Sequence, residues 1–463
     1  MIKRIMLYVS MTCLIVFGQS AFANPFFIIT PTGTPATISI ILCLNGQGSL
    51  SCQNYTVSAL TLSIKTNVPN HTYPAAGIKI KTAGYTVTGC TPNKQGYCLF
   101  SVSDTAPKTI SITPSGLSAI AYVTNFPNGC IDPYGCANYS VSICPVSQDG
   151  SSFGTCSTSL ALDNTSTSTL NEPFAIAINP AQTKVYIANS VPLTGSNACP
   201  SSEYSIAICP INSDGSLGVC TSACDSTFNL LTGVAFSPDG NTLYASNYQG
   251  GSFSGSVSIC SVNEDGSLQP CSTSNGPGTT GESGINFGNS LYVGIQQASN
   301  GNTYLYANAQ TNQETTAAIC QASGSTIDSC NSTYGQTTYI ANVNGISFNL
   351  AGNIAYLANT QESPPNVSGV SICPLDTAGM ISSCTLYTDP TFQFANYTTG
   401  AGNNGVGLFM SSPTGFGYIP NNADPNNTVS ICKISQTDGS ISGCRTAGDN
   451  TFNGPNAIAL KIF

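Results

Sequence analysis

Apolar and polar residues alternate along most of this chain in short runs broken by Gly, Pro, Asn and Ser, the pattern of strands with one face buried. Before residue 116 the runs are irregular: Ala36-Thr-Ile-Ser-Ile-Ile-Leu42, Tyr55 to Ile64, Gly77-Ile-Lys-Ile-Lys81 and Thr109-Ile-Ser-Ile112. They predict a small Ig-like β-sandwich over residues 24–115. After residue 116 one phrase returns at intervals of 51 to 64 residues: Ala121-Tyr-Val-Thr-Asn125, Val185-Tyr-Ile-Ala-Asn189, Leu243-Tyr-Ala-Ser-Asn247, Tyr304-Leu-Tyr-Ala-Asn308, Ala355-Tyr-Leu-Ala-Asn359 and Gly417-Tyr-Ile-Pro-Asn421. The repeated positions are Tyr122, Asn125, Tyr186, Asn189, Tyr244, Asn247, Asn308, Tyr356, Asn359, Tyr418 and Asn421. Most copies follow a shorter apolar run, such as Ala175-Ile-Ala-Ile178 or Gly233-Val-Ala-Phe236, and precede a Val-Ser-Ile-Cys type of strand.

A supersecondary unit repeated at this length predicts the blades of a propeller, each a sheet that buries its faces against its neighbours. The expected fold is all-β, with a β-propeller over residues 116–463. Asn456 to Phe463 reads as one more first strand, whereas the copy at Ala121 lacks a strand before it. The C-terminal strand would therefore complete the first blade and leave no open sheet edge. Six blades of four strands follow, and the extra run Asn289 to Ile295 keeps seven open.

Cysteine sharpens the picture. Cys209 lies as far before the turn Asp214-Gly215 as Cys220 lies after it, and Cys260/Cys271 and Cys373/Cys384 flank Asp265-Gly266 and Ala378-Gly379 in the same way. In an antiparallel hairpin such residues face each other at a separation that a disulfide spans. Cys43/Cys52 fit the same rule around Gln47-Gly48, and Cys90/Cys98 flank another turn. Cys144/Cys156 and Cys432/Cys444 need one bulged residue, and Cys320/Cys330 is the least regular pair. The remaining cysteines pair most simply as Cys130/Cys136 and Cys199/Cys224.

Lys3 and Arg4, an apolar run from Ile5 to Phe17 and Ala21-Phe22-Ala23 have the form of a signal peptide over residues 1–23. Its removal discards Cys13 and leaves the cysteines even in number, as expected of a disulfide framework in the periplasm, outside the cell or at its surface. No later run approaches the roughly 18 apolar residues of a spanning helix, so no transmembrane segment is expected after cleavage.

Only 7% of residues are charged, against a usual fraction of about 25%. The front region holds Lys65, Lys79, Lys81, Lys94 and Lys108 against Asp104, while the propeller holds Lys184, Lys433, Arg445 and Lys461 against 19 of the 20 acidic residues. Such a balance gives nothing for a nucleic-acid backbone to bind. The only histidine, His71, lies outside the repeats, so a Ser-His-Asp or Cys-His site cannot be assembled among them. Asp149, Asp214, Asp239, Asp265 and Asp438 each precede Gly in a turn, which accounts for their presence. No residue is assigned a catalytic role.

Tyr122-Val-Thr-Asn125 and its variants, with Ser237-Pro-Asp-Gly-Asn241 ahead of Leu243-Tyr244, resemble the YVTN-repeat, lactonase-like β-propellers of secreted bacterial proteins. The resemblance covers about three quarters of the chain and implies an architecture more than an activity. Two functions are expected from different classes. One is a non-catalytic module that binds a protein or a glycan through Ser/Asn/Gly/Tyr-rich segments. The alternative is a metal-assisted lactone or ester hydrolase with calcium held by carboxylates at the axis, for which Glu203, Glu264, Glu282, Glu314 and Glu362 are the acids to place.

Overall fold

The computed structural model describes the backbone of strands between Phe26 and Pro114, and the chain from Leu117 to Ile462 apart from loop segments, chiefly 127–138, 275–286, 333–342 and 394–406. The chain divides into two compact units, Met1–Pro114 and Ser115–Phe463. Residues 1–23 lie outside the described residues, as do Cys90, Cys130, Cys136, Glu282, Glu314, Glu362 and His71.

The first unit contains two four-stranded sheets. In one, Phe26–Pro31 lies between Leu62–Lys65 and a parallel partner, Lys108–Pro114. In the other, Ile38–Gly46 pairs with Ser49–Val57 in a register that sets Cys43 directly across from Cys52. Cys98 opens the strand Cys98–Ser103 and faces Ile78 in the same sheet. Its expected partner is Cys90, so the Cys90–Cys98 bridge falls outside the described residues.

The second unit is a propeller of six blades. Blade 1 is built from Pro455–Ile462, Leu117–Asn125, Ser140–Ser147 and Ser157–Ser159, in order from the axis outwards. Blade 2 follows with Pro173–Ile178, Lys184–Asn189, Ser205–Pro210 and Thr221–Cys224, and blade 3 with Leu231–Phe236, Thr242–Asn247, Ser256–Ser261 and Ser272–Ser274. Blade 4 comprises Val293–Gln297, Thr303–Gln310, Thr315–Ser323 and Thr326–Ser332; blade 5 comprises Val343–Phe348, Ile354–Thr360, Ser368–Pro374 and Thr385–Thr388. Blade 6 has Phe416–Asn421, Thr428–Ile434 and Ile441–Gly448, with Phe409 bridged to Tyr418 on the axial side.

The C-terminal strand closes blade 1 as the sequence implies, pairing Ala459 with Tyr122 and Leu460 with Ala121. The run that kept a seventh blade open supplies the inner strand of blade 4. The seam between blades 6 and 1 is also sewn through the backbone, Gly407 N–H donating to Asn456 O at 3.0 Å and Ile458 N–H to Gly407 O at 2.9 Å.

Within each blade the repeated tyrosine faces an isoleucine: Tyr122–Ile143, Tyr186–Ile208, Tyr244–Ile259, Tyr306–Ile319, Tyr356–Ile372 and Tyr418–Ile431. This register corrects the fourth repeat. Its tyrosine is Tyr306, and Asn308 falls one residue short of the position that the other asparagines occupy, which Ala309 takes.

All six hairpin disulfides of the ring are present: Cys144–Cys156, Cys209–Cys220, Cys260–Cys271, Cys320–Cys330, Cys373–Cys384 and Cys432–Cys444, with Cα atoms 4.0 to 4.3 Å apart. Cys199–Cys224 joins them at 5.7 Å. Two details of the expected geometry change. Cys330, read as half of the least regular pair, stands directly opposite Cys320 in the ladder, and the irregularity falls after it, between Cys320 and Ala322. The bulge that Cys444 requires lies in its own strand, because Ile431 pairs with Arg445 but Lys433 with Ser442. Cys384 needs no bulge at its own level, since the next residue, Thr385, faces Ile372. The number of bridges is consistent with an oxidising compartment. Among the described residues no helix is long and apolar enough to cross a membrane.

The two-residue turn expected at Asp214-Gly215 is replaced by a longer tip. Asn212 exchanges backbone bonds with Ser216 and Gly215 while Gly215 adopts φ +85°, the three-residue hairpin with a glycine in the left-handed region. Ile211 then pairs with Leu217 but Ile208 with Thr221, so one extra residue in the return strand restores Cys209 and Cys220 to opposition. Blades 3 and 5 make the same compensation, Val262 pairing with Leu268 but Ile259 with Ser272, and Leu375 with Ile381 but Ile372 with Thr385.

Candidate functional site

The repeated side chains hold the ring, and in doing so they define its axis. Each motif tyrosine reaches across to the next blade and donates its hydroxyl to the glycine carbonyl at that blade's hairpin tip. The bonds are Tyr122–Gly215 at 2.7 Å, Tyr186–Gly266 at 2.6 Å, Tyr244–Gly324 at 3.0 Å, Tyr306–Gly379 at 2.6 Å, Tyr356–Gly439 at 2.8 Å and Tyr418–Gly150 at 2.7 Å. The last returns to blade 1. Burial, and then the Asp265 carboxylate beyond the tip, pushes the Tyr186 hydroxyl up to about 12; burial raises Tyr244 and Tyr418 to a similar value, about 12. The tip aspartates respond in the opposite sense. Ser147 and Ser151 hydroxyls and the Ser151 N–H hold Asp149 down to about 2, and Ser435 and Ser440 do the same for Asp438.

The motif asparagines work at the other rim. Asn247 donates to Ser256 and Ser258 hydroxyls at 3.0 and 2.9 Å and accepts the Asn229 backbone N–H at 2.9 Å. Asn125, Asn189 and Asn421 likewise accept from Asn453, Asn171 and Gln393. The bonded backbone therefore belongs to the connector entering the blade, and not to the turn that follows the asparagine. Three of these connectors share a phrase that the repeat does not contain: Asp225-Ser-Thr-Phe-Asn229, Asp389-Pro-Thr-Phe-Gln393 and Asp449-Asn-Thr-Phe-Asn453. The aspartate caps the threonine N–H, at 2.9 Å in each case, and the phenylalanine is buried. Asp225 also accepts the Cys271 N–H at 3.0 Å, and Asp449 the Cys156 N–H at 3.3 Å, so these two connectors are fastened to the outer edge of the blade they enter. The spacing of Asp, Thr and Phe was the signal that could have revealed them.

The inner strands surround an axial cavity of about 650 Å³. Its mouth lies among the first turns of the blades, at Pro180, Gln182, Pro238, Asn349 and Leu350. Its other end is closed by Tyr292 of blade 4, whose hydroxyl crosses to the Phe174 carbonyl of blade 2 at 3.3 Å; Asn456 of blade 1 donates to the same carbonyl at 2.7 Å. Blade 6 approaches through Gly407, where a Cβ would stand 2.6 Å from that hydroxyl and 2.5 Å from the Ala457 Cβ, so only glycine admits the plug. Burial drives the Tyr292 hydroxyl far above its ordinary value, and it stays a neutral donor.

Every residue lining the cavity is uncharged. Asn179 and Asn349 line it, but their amides are occupied by their own turns: Asn179 Oδ1 accepts the N–H groups of Thr183 and Lys184 at 2.8 and 2.9 Å, and Asn349 those of Asn353 and Ile354 at 3.0 and 3.1 Å. The acids singled out from sequence lie elsewhere. Glu264 is exposed on the blade 3 hairpin and Glu203 is half-exposed ahead of Ser205. Asp214, Asp239 and Asp265 are exposed and bonded within their turns to Ser216, Asn241 and Ser267. The cysteines are equally remote from the axis. Cys330, Cys384 and Cys444 sit in or beside the outermost strands of blades 4, 5 and 6, none of the ring's cysteines lines the cavity, and Cys98 belongs to the first unit. Among the described residues no group of three or more His, Cys, Asp or Glu is placed to hold a metal.

One carboxylate escaped the sequence reading. Glu172, at φ +50° ahead of the blade 2 inner strand, accepts from the Ser190 hydroxyl at 3.1 Å and from Tyr139 at 3.5 Å. Its burial outweighs these bonds and raises its pKa.

No protein-family model matches the chain, and no curated protein matches it. Solved structures similar to it are β-propellers. A Bacteroides fragilis protein provisionally named a 6-phosphogluconolactonase is 12% identical, with a TM-score of 0.42 over 75% of this chain and 98% of its own. The periplasmic gluconolactonase of Pseudomonas aeruginosa is 14% identical, with a TM-score of 0.41 over 74% and 98%. A chain of the nidogen/laminin complex is 11% identical, with a TM-score of 0.45 over 74% and 97%. Likenesses this distant carry no argument about chemistry.

Proposed function

We propose that this is an exported binding protein, and that its propeller acts as a non-catalytic module for a protein or glycan ligand. The observation that supports the reading is the axial cavity: a recess closed at one end, walled by uncharged side chains and opening among the blade turns. A pocket of this size with a few polar groups on apolar walls is the usual form of a ligand site. The ring of tyrosine bonds and disulfides keeps those walls rigid, which lowers the ordering cost of binding.

The test is capture of envelope and glycan material on the immobilised mature protein, with and without calcium, beside the Ala177→Phe variant, whose added ring fills the cavity. Ligand held by the parent and lost by the variant supports the reading. A parallel assay of lactone and ester hydrolysis, again with and without calcium, addresses the hydrolase alternative. Turnover above the blank that Ala177→Phe removes would overturn the non-catalytic assignment.

A further inference from the structure

We propose that the axial cavity takes a neutral saccharide. This rests on the binding reading above and narrows it to a ligand class.

Three polar groups on the wall have one side already fixed by the fold. Gln182 Oε1 accepts the Ile462 N–H at 2.8 Å, which turns its NH₂ into the available donor. Ser347 Oγ accepts the Met410 N–H at 3.1 Å and keeps its O–H to give. Gln296 donates through Nε2 to the Gln297 carbonyl at 2.8 Å, and its Oε1 is left as an acceptor. All three residues line the cavity. Two donors and one acceptor, held in orientation before the ligand arrives, suit hydroxyl groups, each of which both donates and accepts.

The wall between them follows from the repeat. The residues paired across from the motif tyrosines are Ala177, Ala235, Gly294, Ser347 and Ala459, with one large exception, Phe409. All six line the cavity. A Cβ at Gly294 would stand 3.0 Å from the Phe348 ring of the next blade, so its smallness seats that ring, and Phe348 with half-buried Phe409 gives the wall an aromatic surface for the C–H face of a sugar ring.

The absence of charge among the lining residues sets the selectivity. A phosphate or carboxylate entering this space would lose its hydration with no cation among the lining residues to replace it. Lys461 stands between Leu460 and Ile462, which both line the cavity, but is not itself a lining residue. The site is thus built to refuse anionic sugars and accept neutral ones.

Calorimetric titration of the full mature protein tests this, with maltose and lactose as neutral probes and glucuronate and glucose 6-phosphate as anionic ones. At least one neutral probe is expected to bind, with the anions at least about tenfold weaker. Gln182→Ala and Gln296→Ala should each weaken binding about fivefold, the value of one hydrogen bond. Ala177→Phe should abolish it, and Ser347→Ala, which adds no bulk, provides a second variant if the first fails to fold. Anions bound as tightly as neutral sugars, affinity unaffected by these substitutions, or no binding up to about 10 mM, weaker than ordinary specific affinities, would each overturn the proposal. Retention of some other envelope ligand by the parent but not by Ala177→Phe would leave the binding reading standing while the saccharide assignment fell.

Discussion

Blade 3 and blade 4 obey the same repeat by different means. In blade 3 the motif is complete: Tyr244 grips the next blade, and Asn247 ties Ser256, Ser258 and the incoming connector together. In blade 4 the tyrosine keeps its register and its bond to Gly379, but the asparagine slips by one residue and Ala309 stands in its place. The tip differs as well, a short hairpin at Ser323 and Thr326 where blade 3 carries Asp265-Gly266. The blade nevertheless delivers Tyr292 to the axis. The link between blades is thus the feature that no blade gives up, whereas blade 4 carries no asparagine at the register position of the clamp.

The largest effect should come from breaking the ring itself. Truncation after Gly454 removes the inner strand of blade 1 and both backbone bonds to Gly407. Loss of the single cooperative melting transition, read by calorimetry, is the expected result, and a transition shifted by only a few degrees would show that closure matters little.

Next come the tyrosines. Tyr186→Phe and Tyr306→Phe each strip the bond from a buried tip carbonyl, at a cost of about 1–3 kcal/mol. The two losses should be equal in denaturant titrations if blade 4 truly keeps this link. Asn247→Ala should cost about 1–3 kcal/mol, because it strands buried serines and a connector N–H. Asn421→Ala should cost as much, since Asn421 donates to Thr428 and Ser430 and accepts the Gln393 N–H in the same way; clearly unequal costs at the two positions would show that the clamp is not a shared feature of the complete repeats.

The smallest effect is one of pH. Tyr186, Tyr244 and Tyr418 are pushed up to about 12 in the folded ring, above the value near 10 of an unfolded chain. Their raised pKa means that this stabilisation is fully present below about pH 10 and is lost as pH rises towards about 12. Ultraviolet titration should show these phenols ionising together with unfolding, after the exposed tyrosines; ionisation near pH 10 in a still-folded protein would contradict the buried bonds.

Much of this architecture was legible in the chain. The Tyr-Asn phrase counted the blades, the surplus strand at the end foretold closure, and cysteines set evenly about Asp-Gly turns foretold the hairpin staples. What could not be read were partners far away in sequence. Nothing around Tyr122 names Gly215, because the bond depends on where the next blade stacks. Nothing marks Tyr292 as an axial plug either, since its run looks like any other strand and the glycine that admits it, Gly407, lies in another blade. The hairpin reading succeeded for Cys220 and Cys384 through two offsetting irregularities, a longer tip and an extra residue in the return strand. Cys330 looked irregular only because its turn is shorter than the others, which leaves it squarely opposite Cys320. Glu172 was invisible because a glutamate at positive φ has no sequence signature.

The seam between the first and last strands has a consequence in time. The chain is made from its N-terminus, so Leu117–Asn125 exists long before its axial neighbour Pro455–Ile462. Until those final residues arrive, blade 1 presents a bare row of backbone donors and acceptors, the kind of edge that recruits foreign strands. Contacts between residues as far apart in sequence as Ala457 N–H and Thr124 Oγ1 also place this step among the slow, non-local events of folding. A nascent propeller of this kind is most vulnerable to aggregation just before Pro455–Ile462 is made, and that strand acts as the lock on everything built earlier.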